Sequence, residues 1–123
     1  PAEAVRALRY LKKDGTVIVS KTAIKPAGAS LNEKDYDVSK VLAYLKERVG
    51  KVIFVDTDSI CRKCGSAKVL NVVLLGVAAA SGTLGFTVEE LEETLHRMLP
   101  ERNLAVNLKA LQEARIFAAD CPI

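Results

Sequence analysis

The spacing of hydrophobic positions changes character near the middle of this chain. Before residue 56, two short β-branched runs flank a helical stripe; beyond it, apolar residues recur at helical spacing almost to the end. Thr16-Val17-Ile18-Val19-Ser20 and Lys51-Val52-Ile53-Phe54-Val55 are apolar on both faces, as parallel strands covered by helices must be. Ala4, Val5, Leu8 and Leu11 recur three and four apart and predict a first helix of about three turns. Lys12 and Lys13 then sit at its negative dipole end, and Gly15 closes it in the left-handed conformation. Val38, Val41, Leu42, Leu45 and Val49 form the stripe of a second helix, capped by Asp37 and ended by Gly50. Strand, helix and strand in this order make a parallel unit with a right-handed crossover. Between the first strand and that helix, Lys21 to Lys34 carries Pro26, Gly28, Ser30 and Asn32 without periodicity, which reads as a surface loop. Loops that follow strands in such folds face ligands or partners.

The second half reads as helices. Val55 to Ala67 is a strand end, a short helical turn through Ile60 and Cys64, and a break at Gly65. Val69 to Ala80 is a buried helix, interrupted by Asn71 and far shorter than the roughly 20 residues that span a bilayer. Thr87 and Glu90 make a T-x-x-E capping box, Phe86 is placed to staple onto Leu91, and Val88, Leu91, Leu95 and Met98 supply a buried stripe that Pro100 terminates. A last helix runs from about Glu101 to Ala118, with Leu104, Leu108 and Leu111 on one side and Asn107 and Lys109 off that stripe. The expected fold is one α/β domain: a three-layer parallel sheet with helices on both faces, incomplete in this chain, and mostly helical in its C-terminal half. Two parallel strands make a poor sheet alone, so further strands must come from elsewhere.

Composition narrows the function. A length of 123 residues is about one domain and leaves little room for a separate catalytic one. Half the residues are hydrophobic but only 5% aromatic, so the core is aliphatic and alanine-lined, and no stacking platform for bases is visible. The net charge of +3 arises from 18 basic and 15 acidic residues spread along the chain, which reads as mixed solvated surface rather than a nucleic-acid stripe. No nucleic-acid or membrane partner is expected. The start at Pro1 shows no secretory signal, and three cysteines suit a reducing compartment, so free thiols and a cytoplasmic location are expected.

Little in the chain resembles an active site. Cys61-Arg62-Lys63-Cys64 is a C-x-x-C whose flanking positive charges would favour thiolates. A metal or iron-sulfur site would need further ligands, and only Cys121 and His96 are on hand; a redox pair would need the remaining walls of a thioredoxin-like fold. Two packed cysteines on one short helix is the simpler reading. His96 beside Arg97 near a helix end reads as a surface residue, and Glu89, Glu90, Glu92 and Glu93 as a solvated first turn stabilised by the helix dipole. Gly82-Thr83-Leu84-Gly85 lacks the lysine of a phosphate loop. Gly76 with Ala78, Ala79 and Ala80 offers a small-residue surface on which another helix, strand or subunit can approach closely. Lys68 and Asn71, three apart, share one helix face; Asn71, partly buried among Val and Leu, must satisfy its amide through a specific partner, and Asn107 poses the same question.

Several of these segments, in order, resemble the C-terminal half of the gamma-type subunit of 2-oxoacid:ferredoxin oxidoreductases, especially the indolepyruvate type. They are Pro1-Ala2-Glu3-Ala4-Val5-Arg6-Ala7-Leu8 with Tyr10-Leu11-Lys12, Gly15-Thr16-Val17-Ile18-Val19, Lys68-Val69-Leu70-Asn71-Val72-Val73-Leu74-Leu75-Gly76 and Asn107-Leu108-Lys109-Ala110-Leu111. The family's glycine-rich N-terminal motif is not in this chain, so the resemblance implies the later part of a gamma-type domain. It also implies an enzyme component that binds no cofactor itself and has no catalytic residue. Thiamine diphosphate, CoA and iron-sulfur clusters would belong to the complex, with a thiamine-diphosphate-binding subunit and ferredoxin as partners and a homo-oligomer possible. Lys68, Asn71 and Asn107 are then candidate contact residues, with Cys61 and Cys64 a redox pair outside the family pattern. The readings from other classes are a non-enzymatic interaction module docking through the Gly76 surface and a thiol-disulfide protein.

Overall fold

The computed structural model describes residues 1–21 and 38–120. Asp37, Cys121 and all of the Lys21–Lys34 loop beyond Lys21 lie outside them. The chain forms two compact units, Pro1–Val55 and Asp56–Ile123.

The first unit holds the sheet. Strand β1 (Thr16–Ser20) pairs in parallel with β2 (Lys51–Val55), in a register that sets Thr16 opposite Lys51 and Ser20 opposite Val55. Both strands fall where the two β-branched runs predicted them. Helix α2 (Val38–Arg48) packs on β2, and α1 (Ala2–Ala7) packs on α2. Leu45 and Val49 are buried with Val19, Ile53 and Val55, while Val41 and Leu42 are half-buried. Among the described residues the sheet has two strands, so the α/β class holds in the incomplete form expected.

The glycines of this unit depart from expectation. α1 ends at Ala7 and tightens into a 3-10 turn over Leu8–Tyr10, and Leu11 is already extended. Lys12 and Lys13 therefore lie beyond the helix rather than at its dipole. Gly15 does not take a positive φ; it is buried, and a Cβ there would come within 2.4 Å of Leu11 Cδ1. Its missing side chain serves close packing, while its N–H closes the turn onto Lys12 O at 3.0 Å. Gly50 is not left-handed either: α2 stops at Arg48, and Val49 N–H donates to Leu45 O at 2.9 Å.

The second unit is built helix on helix. α3 (Thr57–Cys64), a 3-10 turn over Ala67–Val69, α4 (Leu70–Ala80), α5 (Val88–Met98) and α6 (Glu101–Asp120) follow in order. α4 and α6 form its principal pair, with α3 and α5 packed against both. Val69, Val73, Val77 and Leu111 are almost fully buried, and Ala110, Ala114 and Ala118 present the small-residue edge of α6. Gly76 explains how close the pair comes: a Cβ on it would sit 2.8 Å from Ala114 Cβ and 3.1 Å from Leu111 Cδ2. The small-residue surface read as a docking face is thus occupied by the chain's own α6. One member of the predicted α5 stripe is misplaced: Val88 and Leu91 are buried and Leu95 half-buried, but Met98 is 77% exposed. It lies in the last turn, immediately before the extended Leu99 and Pro100. No helix among the described residues is long and apolar enough to cross a membrane.

Candidate functional site

The cysteine pair sits on a well-specified helix. Asp56 caps α3, its Oδ1 accepting from Ser59 N–H at 3.2 Å, and Gly65 ends it with φ 79°. Gly65 N–H donates to Arg62 O and Ser66 N–H to Cys61 O, each at 3.1 Å, which satisfies the last carbonyls of the helix. Cys61 and Cys64 are free thiols, the first buried and the second half-buried. Burial pushes the Cys61 thiol up from its ordinary value, reinforced by the neighbouring Cys64 and by Asp58. Burial raises Cys64 too, Glu113 of α6 adding to it and Lys109 opposing. The expectation that Arg62 and Lys63 would favour thiolates is therefore overturned: both side chains are exposed, and desolvation governs the sulfurs.

A four-thiolate iron-sulfur cluster does not fit this pair. Among the described residues no three His, Cys, Asp or Glu side chains converge as metal ligands.

Lys68 and Asn71 stand at the entry to α4. Ser66 Oγ accepts from Lys68 N–H at 3.1 Å and sets the 3-10 turn that leads into the helix. Both side chains are exposed. Asn71 is exposed rather than partly buried, so burial no longer requires a protein partner for its amide. Asn107, half-buried on α6, donates from Nδ2 to Asn103 O at 2.8 Å, a bond back along its own helix. Among the described residues no hydrogen bond joins Asn107 to Lys68 or Asn71. His96 is exposed on α5.

The hollows of the structure were not anticipated from the sequence. In the second unit an open hollow of about 630 Å³ is lined by Leu84, Phe86, Thr87, Glu89, Arg115 and Ala118, among others. Thr87 accepts from Glu90 N–H at 3.1 Å, the N-cap half of the predicted box, while the Glu90 carboxylate accepts from the Thr87 hydroxyl at 3.3 Å rather than from its backbone N–H. Arg115 pairs with Glu89 from α6. The Glu89 carboxyl is held below its usual range, first by a hydrogen bond from its own backbone N–H at the start of α5 and then by Arg115. The arginine's charge is thus countered by a carboxylate within the same lining.

A hollow of about 400 Å³ in the first unit is lined by Arg9, Lys12, Lys13 and Arg48 with Tyr44. Positive charge is thus not spread evenly, as the linear sequence implied. The signal was present in the basic positions at 9–13 and 46–51, but only the fold brings Arg48 to Lys12.

A family model described as pyruvate ferredoxin/flavodoxin oxidoreductase matches residues 1–116. Among curated relatives, indolepyruvate oxidoreductase subunit IorB of Methanothermobacter thermautotrophicus is 31% identical over 98% of this chain and 62% of its own length. The subunits of the same name from Archaeoglobus fulgidus and Thermococcus kodakarensis are 29% and 30% identical, each over 91% of this chain and 56% of the relative. The chain spans little more than half the length of these relatives. No solved structure matches it. The match along nearly the whole chain agrees with the ordered resemblance and makes this protein a member of the pyruvate ferredoxin/flavodoxin oxidoreductase family.

Proposed function

We propose that this chain is a gamma-type component of an indolepyruvate-type 2-oxoacid:ferredoxin oxidoreductase, corresponding to the later part of the gamma-type domain. The complex would decarboxylate an aryl pyruvate oxidatively, form the acyl-CoA and pass the two released electrons to ferredoxin. The observation that carries this reading is the similarity to IorB subunits over 89% to 98% of the chain. Thiamine diphosphate, CoA and the iron-sulfur clusters are assigned to the rest of the complex, and this chain contributes no catalytic residue. Its partner is the thiamine-diphosphate-binding subunit, a second copy of the chain is a further candidate neighbour, and the assembly is cytoplasmic. The two-stranded parallel sheet among the described residues agrees with the reading, because two strands are fewer than a stand-alone α/β domain carries.

Lys68 and Asn71 are proposed as partner contacts because they are exposed and adjacent at the entry to α4. Asn107 remains a candidate contact through whatever surface it keeps beyond its bond to Asn103. Reconstitution tests the assignment. A thiamine-diphosphate subunit of an indolepyruvate-type oxidoreductase from the same organism, supplied with indolepyruvate, CoA and oxidised ferredoxin, should reduce ferredoxin when the gamma-type component is added. Equal activity with and without the component would overturn the assignment.

A further inference from the structure

The basic hollow of the first unit has features that solvated surface charge alone does not produce. Its cations come from two separate places: Arg9, Lys12 and Lys13 from the 3-10 turn and the segment after it, and Arg48 from the last turn of α2. The helix dipole accounts for Arg48. It does not account for Lys12 and Lys13, which lie beyond the end of their helix. Among the described residues no acidic side chain lines the hollow. Among the described residues none of the four cations is in an ion pair, the pair of this unit being Arg6 with Glu3 at 3.0 Å. Arg9 and Arg48 are instead stacked over Tyr10 and Tyr44, each guanidinium 4.8 Å from the ring centroid. Such stacking holds the guanidinium plane while leaving its N–H edge free to donate. Leu8, Leu11 and Val49 supply apolar lining beside the charges.

We propose that this hollow binds a soluble phosphate ester bearing two or more negative charges, with Arg9, Lys12, Lys13 and Arg48 as its charge partners. A lone carboxylate would answer one of four cations, whereas a phosphate or pyrophosphate group answers several and matches the guanidinium fork. The volume of about 400 Å³ falls in the range of small-molecule sites. The cations gather at one hollow rather than along a stripe, which separates this site from a nucleic-acid track. The apolar lining and Tyr44 provide a surface for the organic part of the ester. This site is independent of the assignment to an oxidoreductase complex, so either can fail without the other.

The test uses the whole 123-residue chain, isotopically labelled, titrated with inorganic pyrophosphate and separately with ADP while backbone amides are followed by NMR. Saturable shifts confined to Leu8–Lys13 and Tyr44–Val49 are expected, weakening as NaCl rises from about 50 to about 200 mM. Lys12→Gln and Arg48→Gln should each weaken binding about threefold, and the double variant about tenfold. Lys40→Gln, exposed on α2 but outside the hollow, should leave it unchanged. All three side chains are exposed, and circular dichroism confirms that each variant is folded. No saturation by about 10 mM ligand would overturn the proposal, as would undiminished affinity in the double variant. Binding only to vesicles of anionic phospholipid, with none to the soluble probes, would overturn it equally.

Discussion

Substituting Gly76 tests the packing of the second unit, because two opposing effects on its stability can be given magnitudes. In an isolated helix, alanine for glycine stabilises by about 1 kcal/mol. At this position the new Cβ would lie 2.8 Å from Ala114 Cβ, about 0.7 Å inside the ~3.5 Å of an ordinary carbon contact. Leu111 Cδ2, at 3.1 Å, can rotate away, but Ala114 has no rotamer to change. α4 and α6 must therefore separate, and overpacking of this kind costs about 1–3 kcal/mol. The clash outweighs the propensity gain, and Gly76→Ala should destabilise by about 1 kcal/mol net, or roughly 4–8 °C in Tm for a unit of this size. Adding Ala114→Gly removes the atom that is struck, so the double variant should be less destabilised than the sum of the singles by about 1 kcal/mol. Urea unfolding followed by far-UV circular dichroism measures all four proteins. A Gly76→Ala protein stabilised by the full propensity gain would refute the close α4–α6 approach.

Two further predictions concern titration. Glu89 has a folded pKa below its unfolded one, so the stability it contributes is present above the ordinary carboxylate range and is lost as pH falls through the depressed folded value. Its NMR titration midpoint should lie below the ordinary glutamate range, and Arg115→Ala should raise it only in part, since its own backbone N–H is the larger cause. The thiols run the other way: with folded pKa values raised, stability falls as pH climbs above the unfolded thiol value, where the unfolded chain ionises first. Iodoacetamide should alkylate both slowly at neutral pH, half-buried Cys64 before buried Cys61, and thiolate-like speed at neutral pH would contradict the burial argument.

Both strands were legible in the sequence because residues 17–19 and 52–55 are unbroken β-branched and aromatic runs apolar on both faces, and the start of α5 carries a local signal in Thr87. What sequence spacing could not supply was the identity of each neighbour. Met98 continues the α5 stripe by period, yet it is exposed in the helix's last turn. Gly15 and Gly50 looked like helix stops, but neither adopts the left-handed backbone, and Gly15 is glycine because Leu11 occupies the space beside it. Gly76 signalled a close approach without saying whether the partner was inside or outside the chain. Asn71 was read as partly buried from its apolar neighbours along the chain, but on a helix those neighbours point elsewhere. The basic hollow escaped notice for a related reason: Arg48 is distant from Lys12 in sequence, and a count of charges cannot register their convergence.

The proposal that this chain completes a thiamine-diphosphate oxidoreductase is tested most directly by native mass spectrometry of the chain co-expressed with a thiamine-diphosphate subunit of an indolepyruvate-type oxidoreductase from the same organism. The account predicts a stable hetero-oligomer containing both polypeptides, weakened when Lys68→Glu and Asn71→Asp are introduced together at the entry to α4. Two separate species under conditions where both proteins are folded would contradict it.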